Sequence, residues 1–144
     1  MTIYQDPWLI SNKQSLLKPW KVIFFINPFS CAGKALDCWN QIKHLCECAN
    51  FETTEFITTY QNQAKEWAFT EDIYQYDQII SVSGDGLVHE IVQGMYAWKD
   101  FDLEKMPPIG IIPGGSGDAL AKTLLFDSIE HFSIENAFWL IVKG

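Results

Sequence analysis

Residues 79–94, IISVSGDGLVHEIVQG, constrain the fold more than any other stretch of this 144-residue chain. The first four of these residues favour a buried strand, and SGDG at residues 83–86 provides a sharp turn. A helix is predicted next, because apolar residues recur at the helical period. They are Leu87, Val88, Ile91, Val92, Met95 and Tyr96. The carboxylate of Asp85 is therefore expected at the carboxyl end of a strand, beside the free N–H groups of a helix start.

Two interpretations of Asp85 remain open on this turn alone. The side chain could simply cap the helix that follows it, because Asp is a favourable capping residue. Alternatively, the turn could bind phosphate and present a catalytic carboxylate, because a helix start attracts anions. A second turn of similar design, PGGSGD at residues 113–118, follows an apolar strand at 109–112 and precedes a helix at 119–125. Two such turns favour a nucleotide crevice at the strand ends.

The remaining segments alternate between strand and helix patterns along the chain. A polar leader is assigned to residues 1–19, and one domain to residues 20–144. Strands are predicted at 20–26 and 53–59, and helices after Gly33, at 61–70 and at 133–142. The resulting order, βαβαβαβαα, predicts an α/β fold. Its sheet is doubly wound and mainly parallel, with helices on both faces.

Composition excludes some classes of function. Hydrophobic residues make up 48% of the chain and the net charge is −8. The acidic charge argues against a nucleic-acid partner, which calls for a basic surface. The acidic charge does not exclude a nucleotide ligand, because backbone N–H groups and a metal ion can hold phosphates.

Location is predicted from the cysteines and from the apolar segments. The four cysteines match no zinc spacing and are expected to be reduced thiols, as in a cytosolic protein. The N-terminus lacks the pattern of a signal peptide. The apolar run at 137–142 is too short to span a bilayer, so any membrane contact is expected to be peripheral.

Several motifs together resemble one known family. SGDGLVHEIVQG at residues 83–94 is similar to the signature of sphingosine kinases, which belong to the wider group of diacylglycerol-kinase-like lipid kinases. NP at 27–28 followed by GKA at 33–35 is similar to the first loop of the family, and PGGSGDALA at 113–121 to a later loop. Thr58, followed by Asn62 and Ala64, matches the loop after the second strand. Three spaced loops are harder to match by chance than one.

The resemblance implies a role for each matching residue. Asp85 would be the base that accepts the proton of the lipid hydroxyl, and the lipid head group would lie against residues 83–86, namely Ser83, Gly84, Asp85 and Gly86. ATP would be the phosphoryl donor, with Mg²⁺ bridging its phosphates. The implied nucleotide-binding residues are Asn27, Pro28, Phe29, Thr58, Thr59, Tyr60, Gln61, Asn62, Gly84, Gly86, Glu90, Gly115, Ser116 and Gly117. Taken alone, Glu90 could also be a first-turn acid that favours the helix dipole.

The resemblance further implies the reaction and what this chain does not contain. Members of the family phosphorylate a sphingoid base to sphingosine 1-phosphate and continue past the position of Gly144 into a β-sandwich domain that supplies the lipid pocket. This chain is expected to hold only the nucleotide-binding half. A non-catalytic nucleotide-binding module and a diacylglycerol kinase remain alternatives. A dinucleotide-binding oxidoreductase is disfavoured, because the glycine loop at 115–117 follows the fourth predicted strand and not the first.

Overall fold

A computed structural model of the protein describes residues 18–144, so the greater part of the predicted leader, residues 1–17, lies outside the described residues. The strands are β1 (Trp20–Ile26), β2 (Phe51–Ile57), β3 (Gln78–Ser83) and β4 (Ile109–Pro113). The helices are α1 (Lys34–Ile42), α2 (Leu45–Cys48), α3 (Gln63–Thr70), α4 (Asp85–Tyr96), α5 (Ala119–Asp127) and α6 (Ile134–Lys143). Short 3₁₀ turns occur at Ser30–Gly33 and Ile73–Gln75.

The four strands form one parallel sheet in the order β2-β1-β3-β4. Connections between parallel strands must cross over the sheet, and here helices make these crossovers. The predicted α/β, doubly wound fold is confirmed.

The core lies on both faces of the sheet, because successive side chains of β1 point to opposite faces. On one face Phe24 packs in a cluster with Trp39 of α1 and Phe138 of α6. On the other face Phe25 packs in a cluster with Ile91 of α4. A strand buried on both faces reads as a continuous apolar run, as in residues 22–26.

The helices α3 and α4 approach closely on the second face. An added Cβ at Gly94 would lie 2.7 Å from the Cβ of Ala68 and would overlap the backbone carbonyl oxygen of Lys65. Small residues on both helices therefore permit this packing.

Several strands and helices begin or end at residues other than those predicted. The strand predicted at 53–59 runs from Phe51 to Ile57, because Phe51 and Glu52 pair with the first residues of β1. The helix predicted at 61–70 begins at Gln63, since the backbone at Asn62 has a positive φ of 65°. Ser133 caps α6 as predicted, and its hydroxyl accepts the N–H of Asn136 at 3.0 Å.

Candidate active site

The candidate site lies where the strand order reverses. The chain goes from β1 to its neighbour β2, then crosses to β3 on the other side of β1. Open parallel sheets bind ligands at this switch point, outside the carboxyl ends of the strands. Asn27 directly follows β1, and Ser83 is the last residue of β3. Two of the predicted nucleotide loops therefore start at the switch point.

The loops after β3 and β4 touch through their glycines. A Cβ built on Gly115 would lie 2.5 Å from the Cα of Gly84, and one built on Gly84 would lie 3.3 Å from the Cα of Gly115. Gly84 has a φ of −86°, which any residue can adopt. At this position glycine is needed for close backbone approach and not for an unusual dihedral angle.

Two further hydrogen bonds hold the loop after β4. The carboxylate of Asp118, which is 5% exposed, accepts the N–H of Gly115 at 2.9 Å. The N–H of Gly114 donates to the carbonyl oxygen of Ser83 at 3.1 Å. Asp118 has a φ of 51°, a conformation that Asp tolerates better than most residues. Asp118 thus closes the loop and was not among the predicted site residues.

Asp85 connects the two glycine loops. Its Oδ2 accepts the N–H of Ala119 at 3.1 Å, and its Oδ1 accepts the N–H of Leu120 at 3.2 Å. The interpretation that Asp85 caps its own helix is wrong, because α4 has Gly84 at its N-cap and no side-chain cap. Asp85 instead satisfies two of the free N–H groups at the start of α5. Its side chain remains exposed and faces a pocket.

That pocket, called here the glycine-loop pocket, has a volume of about 540 Å³. It is lined by Asn27, Gln61 and Glu90 together with residues 30–31, 83–87 and 115–118. The structure thus brings Asp85, Ser116 and both predicted glycine loops into one cleft. Ser30, Cys31, Leu87 and Asp118 also line it and were missed. Ser30 and Cys31 lie between the matched NP and GKA motifs, so their position in that loop could have indicated that they line the site.

A second pocket, called here the aromatic pocket, has a volume of about 250 Å³. The exposed rings of Phe29 and Tyr60 line it, with Leu87 and Thr58. Its remaining lining residues, Asn27, Gln61 and Glu90, also line the glycine-loop pocket. The two pockets therefore adjoin.

Other predicted nucleotide residues hold the loops in shape. The hydroxyl of Thr58 donates to the carbonyl oxygen of Ile26 at 3.3 Å, and the N–H of Thr59 donates to Oε1 of Gln63 at 2.6 Å. Among the described residues, Pro28, Thr59 and Asn62 belong to these loops but not to the lining of either pocket.

The hydroxyl of Tyr60 donates a hydrogen bond of 2.7 Å to the Glu66 carboxylate. This bond raises the pKa of Tyr60 above its ordinary value, because it stabilises the protonated phenol. The contact also restrains the Tyr60 side chain at the edge of the aromatic pocket.

A metal ion would fit this site only in combination with a bound phosphate. Within residues 18–144, no group of three or more His, Cys, Asp or Glu side chains is placed to hold a metal ion. Nucleotide-bound Mg²⁺ needs only one or two carboxylates, since phosphates and water supply its other ligands. Asp85 and Glu90 line the glycine-loop pocket and meet this requirement.

None of the helices within residues 18–144 has the length and apolarity to cross a bilayer.

Comparison with known proteins identifies the family. A family model described as the diacylglycerol kinase catalytic domain matches residues 21–144. Sphingosine kinase 1 of Arabidopsis thaliana is 38% identical over 131 residues, which cover 90% of this chain and 27% of that protein. Sphingosine kinase 1 of Rattus norvegicus is 36% identical over 110 residues, which cover 76% of this chain and 29% of that protein.

Solved structures agree with this result. The crystal structure of a diacylglycerol kinase from Bacillus anthracis str. Sterne matches with a TM-score of 0.68 and 28% identity, over 85% of this chain and 39% of that one. The resemblance to sphingosine kinases that the motifs indicated is confirmed, although the chain spans less than a third of the length of these two curated relatives. The chain belongs to the family of diacylglycerol kinase catalytic domains.

Proposed function

We propose that this chain is the nucleotide-binding part of an ATP-dependent lipid kinase that phosphorylates the primary hydroxyl of a sphingoid base. The observation that carries the proposal is the position of Asp85. Its carboxylate faces a cleft formed by the loops after β1, β3 and β4, in a domain of the diacylglycerol kinase catalytic family. Phosphoryl transfer depends mainly on positioning and charge stabilisation, with one group to orient the attacking hydroxyl.

Asp85 is suited to act as the general base. A carboxylate has about four acceptor positions, and the N–H groups of Ala119 and Leu120 take two of them. These bonds orient the side chain, and the remaining positions are available for the lipid O–H. In the proposed reaction the hydroxyl oxygen forms a bond to the γ-phosphorus, its proton passes to Asp85, and the bond to the β-phosphate oxygen breaks to release ADP.

The phosphates of ATP would lie along the glycine loops at residues 84–86 and 115–117. The helix α4 begins at this cleft with no side-chain cap, and helix starts favour anions. Mg²⁺, when bound, would neutralise charge on the phosphates, and Glu90 is the residue we assign to contact it.

The sphingoid substrate is proposed from the relatives. The curated relatives are named as sphingosine kinases, and the run LVHE at 87–90 resembles their signature. The solved structure is named as a diacylglycerol kinase, which makes diacylglycerol the competing substrate. Either lipid supports peripheral association with a cytoplasmic membrane surface. Activity of the full-length gene product on sphingosine and on diacylglycerol, presented in identical mixed micelles, distinguishes the two.

The test of the base is Asp85→Asn in that full-length product. We expect turnover to fall by about 10²–10⁴, the usual contribution of a general base, while Mg-ATP still binds. Asp127→Asn is the matched control, because it changes an exposed Asp at the other end of α5 and outside both pockets. Unchanged turnover in Asp85→Asn would remove Asp85 from the mechanism.

A non-catalytic nucleotide-binding module is the second candidate. It is favoured by Phe29, which directly follows the NP motif and offers no positive charge to a phosphate. Calorimetric binding of Mg-ATP, with no phosphorylation of either lipid by the full-length product, would support this candidate and contradict the kinase.

A further inference from the structure

We infer that Asp118 is a positioning residue for the reaction, because it determines how the start of α5 holds the carboxylate of Asp85. The inference rests on the proposed function, in which Asp85 is the base, and adds a second acidic residue that acts through it. Asp118 directly precedes Ala119 and Leu120, the two residues whose N–H groups bond to Asp85.

The first observation is that Asp118 does not cap the helix that follows it. An Asp at the N-cap usually accepts the N–H of the second or third helical residue. Here the backbone of Asp118 is left-handed, with φ 51° and ψ 39°, and its side chain does not cap α5. The first two N–H groups of α5, those of Ala119 and Leu120, are therefore available to Asp85.

The second observation is where the Asp118 side chain goes instead. Its Oδ1 accepts the N–H of Gly115 at 2.9 Å, and Asp118 is 5% exposed. A Cβ built on Gly115 would lie 3.0 Å from this oxygen, and one built on Gly84 would lie 3.9 Å from it. Asp118 thus packs against both glycine loops, and Gly84 directly precedes Asp85 in the chain.

The third observation is that Asp118 cannot hold Gly115 and cap α5 with the same oxygen. If that oxygen turned towards α5, it would compete with Asp85 for the N–H of Leu120 and would release the N–H of Gly115. The bond from Gly115 is buried, and a buried N–H that loses its acceptor costs free energy. This cost favours the observed arrangement, in which Asp85 keeps both donors and faces the glycine-loop pocket.

A general base must be placed accurately to be effective. A displacement of about 1 Å can lower turnover by on the order of 10²-fold. Loss of the Asp118 carboxylate should therefore lower kcat although the base, Asp85, is still present.

The test measures kcat and KM of the full-length gene product with Mg-ATP and sphingosine in mixed micelles. Asp118→Gly tolerates a left-handed backbone but removes the acceptor for Gly115, so kcat should fall by about 10²-fold at saturating substrates. Asp118→Ser has a shorter side chain that loses reach to Gly115, so it should show a similar fall and is a second, independent variant. Circular dichroism confirms that each variant is folded.

Two variants serve as matched controls. Asp118→Asn keeps an acceptor oxygen for Gly115 and tolerates the same backbone, so kcat should stay close to that of the wild type. Asp127→Asn changes an exposed acid at the other end of α5, outside both pockets, and should leave kcat unchanged.

A double variant separates positioning of the base from a general effect on loop shape. If Asp118 acts through Asp85, adding Asp118→Gly to Asp85→Asn should remove little further turnover, because the base is already lost. Independent effects would instead multiply, and the double variant would turn over about 10²-fold more slowly than Asp85→Asn.

Each result supports or contradicts a specific claim. A fall in kcat for Asp118→Gly or Asp118→Ser that Asp118→Asn does not show, with no further fall in the double variant, supports the positioning role. Wild-type kcat in Asp118→Gly, a change confined to the KM for ATP, an equal loss in Asp118→Asn, or multiplied losses in the double variant would each contradict it and leave the proposed function in place. If the wild-type product phosphorylates neither lipid, or if Asp85→Asn turns over normally, the proposed function fails and the positioning role fails with it.

Discussion

The loops after β3 and β4 and the loops after β1 and β2 form opposite sides of one site, but they are built from different parts of the chain. On the first side backbone packs against backbone, and no Cβ fits at Gly115 without displacing Gly84. On the second side exposed rings, Phe29 and Tyr60, project from loops that hydrogen bonds hold. We therefore expect substitutions on the first side to act by disrupting backbone packing. Substitutions on the second side should act by removing contact surface for a ligand.

The largest effect is expected from Gly115→Ala. The new Cβ would lie 2.5 Å from the Cα of Gly84 and 3.0 Å from Oδ1 of Asp118, so the two loops must separate. We expect the free energy of unfolding to fall by about 1–3 kcal/mol, as for other overpacked sites. Urea unfolding measures this change.

Gly117→Ala is the matched control in the same loop. Its Cβ would meet nothing within 4 Å. The change in unfolding free energy should therefore stay within about 0.5 kcal/mol. Equal losses in the two variants would contradict the close-packed description of this side.

The next effect concerns Asp85 as a structural residue. Asp85→Ala removes the acceptors for the N–H groups of Ala119 and Leu120, and we expect a loss of about 0.5–2 kcal/mol, as for other lost helix caps. Asp127→Ala removes an acid from the other end of α5, where the dipole disfavours it, and should stabilise slightly or change nothing. Thermal unfolding of both variants tests the difference, and a smaller loss in Asp85→Ala than in Asp127→Ala would contradict it.

A third substitution, outside both sides of the site, is expected to raise the free energy of unfolding by relieving backbone strain. Ile129 follows α5 with a φ of 59°, is 94% exposed, and is bridged by the bond from Glu130 N–H to Leu125 O at 2.9 Å. This helix ending usually has glycine at that position. Ile129→Gly should raise the unfolding free energy by about 1 kcal/mol, because a left-handed backbone disfavours a Cβ.

Ile129→Ala is its control, because it removes the exposed side chain but keeps the Cβ. We expect a smaller gain than for glycine. Calorimetric melting of the two variants compares them. An equal gain in both would assign the effect to the apolar surface and not to the backbone.

The smallest expected effect is on the rates at which the natural cysteines react with a thiol reagent. Cys31 lines the glycine-loop pocket, whereas Cys48 is exposed elsewhere, so Mg-ATP should slow labelling of Cys31 by N-ethylmaleimide and leave Cys48 unchanged. Burial raises the pKa of Cys38 and of Cys46, so both should react slowly with or without nucleotide. Mass spectrometry of labelled peptides gives the four rates. Equal labelling of Cys31 with and without ATP would contradict nucleotide binding in this cleft.

The sequence was sufficient for the strand–helix alternation and for the glycine loops, because these depend on local patterns. The apolar run of β3 and the helical period of α4 each lie within a short stretch. Asp85 could be placed at the end of a strand for the same reason. The two glycine turns, each after a predicted strand, then supplied the prediction of one crevice at the strand ends.

The contacts between distant segments could not be predicted in this way. Asp85 bonds to Ala119, which is 34 residues away, only because β3 and β4 are neighbours in the sheet. Strand order does not follow from local propensity. Pairing likewise starts β2 at Phe51 although residues 53–59 carried the strand signal, since Phe51 pairs with Trp20. The role of Asp118 in closing its loop depends on a positive φ that the sequence pattern did not indicate.

The bond from Gly114 N–H to the Ser83 carbonyl extends the ladder between β3 and β4 into their loops. Together with the Asp85 contacts, it joins the start of α4 to the start of α5. We expect these two helices to keep their relative position when a ligand enters the cleft. The N–H groups of Gly114 and Ala119 should therefore exchange slowly with solvent, because both lie in this junction.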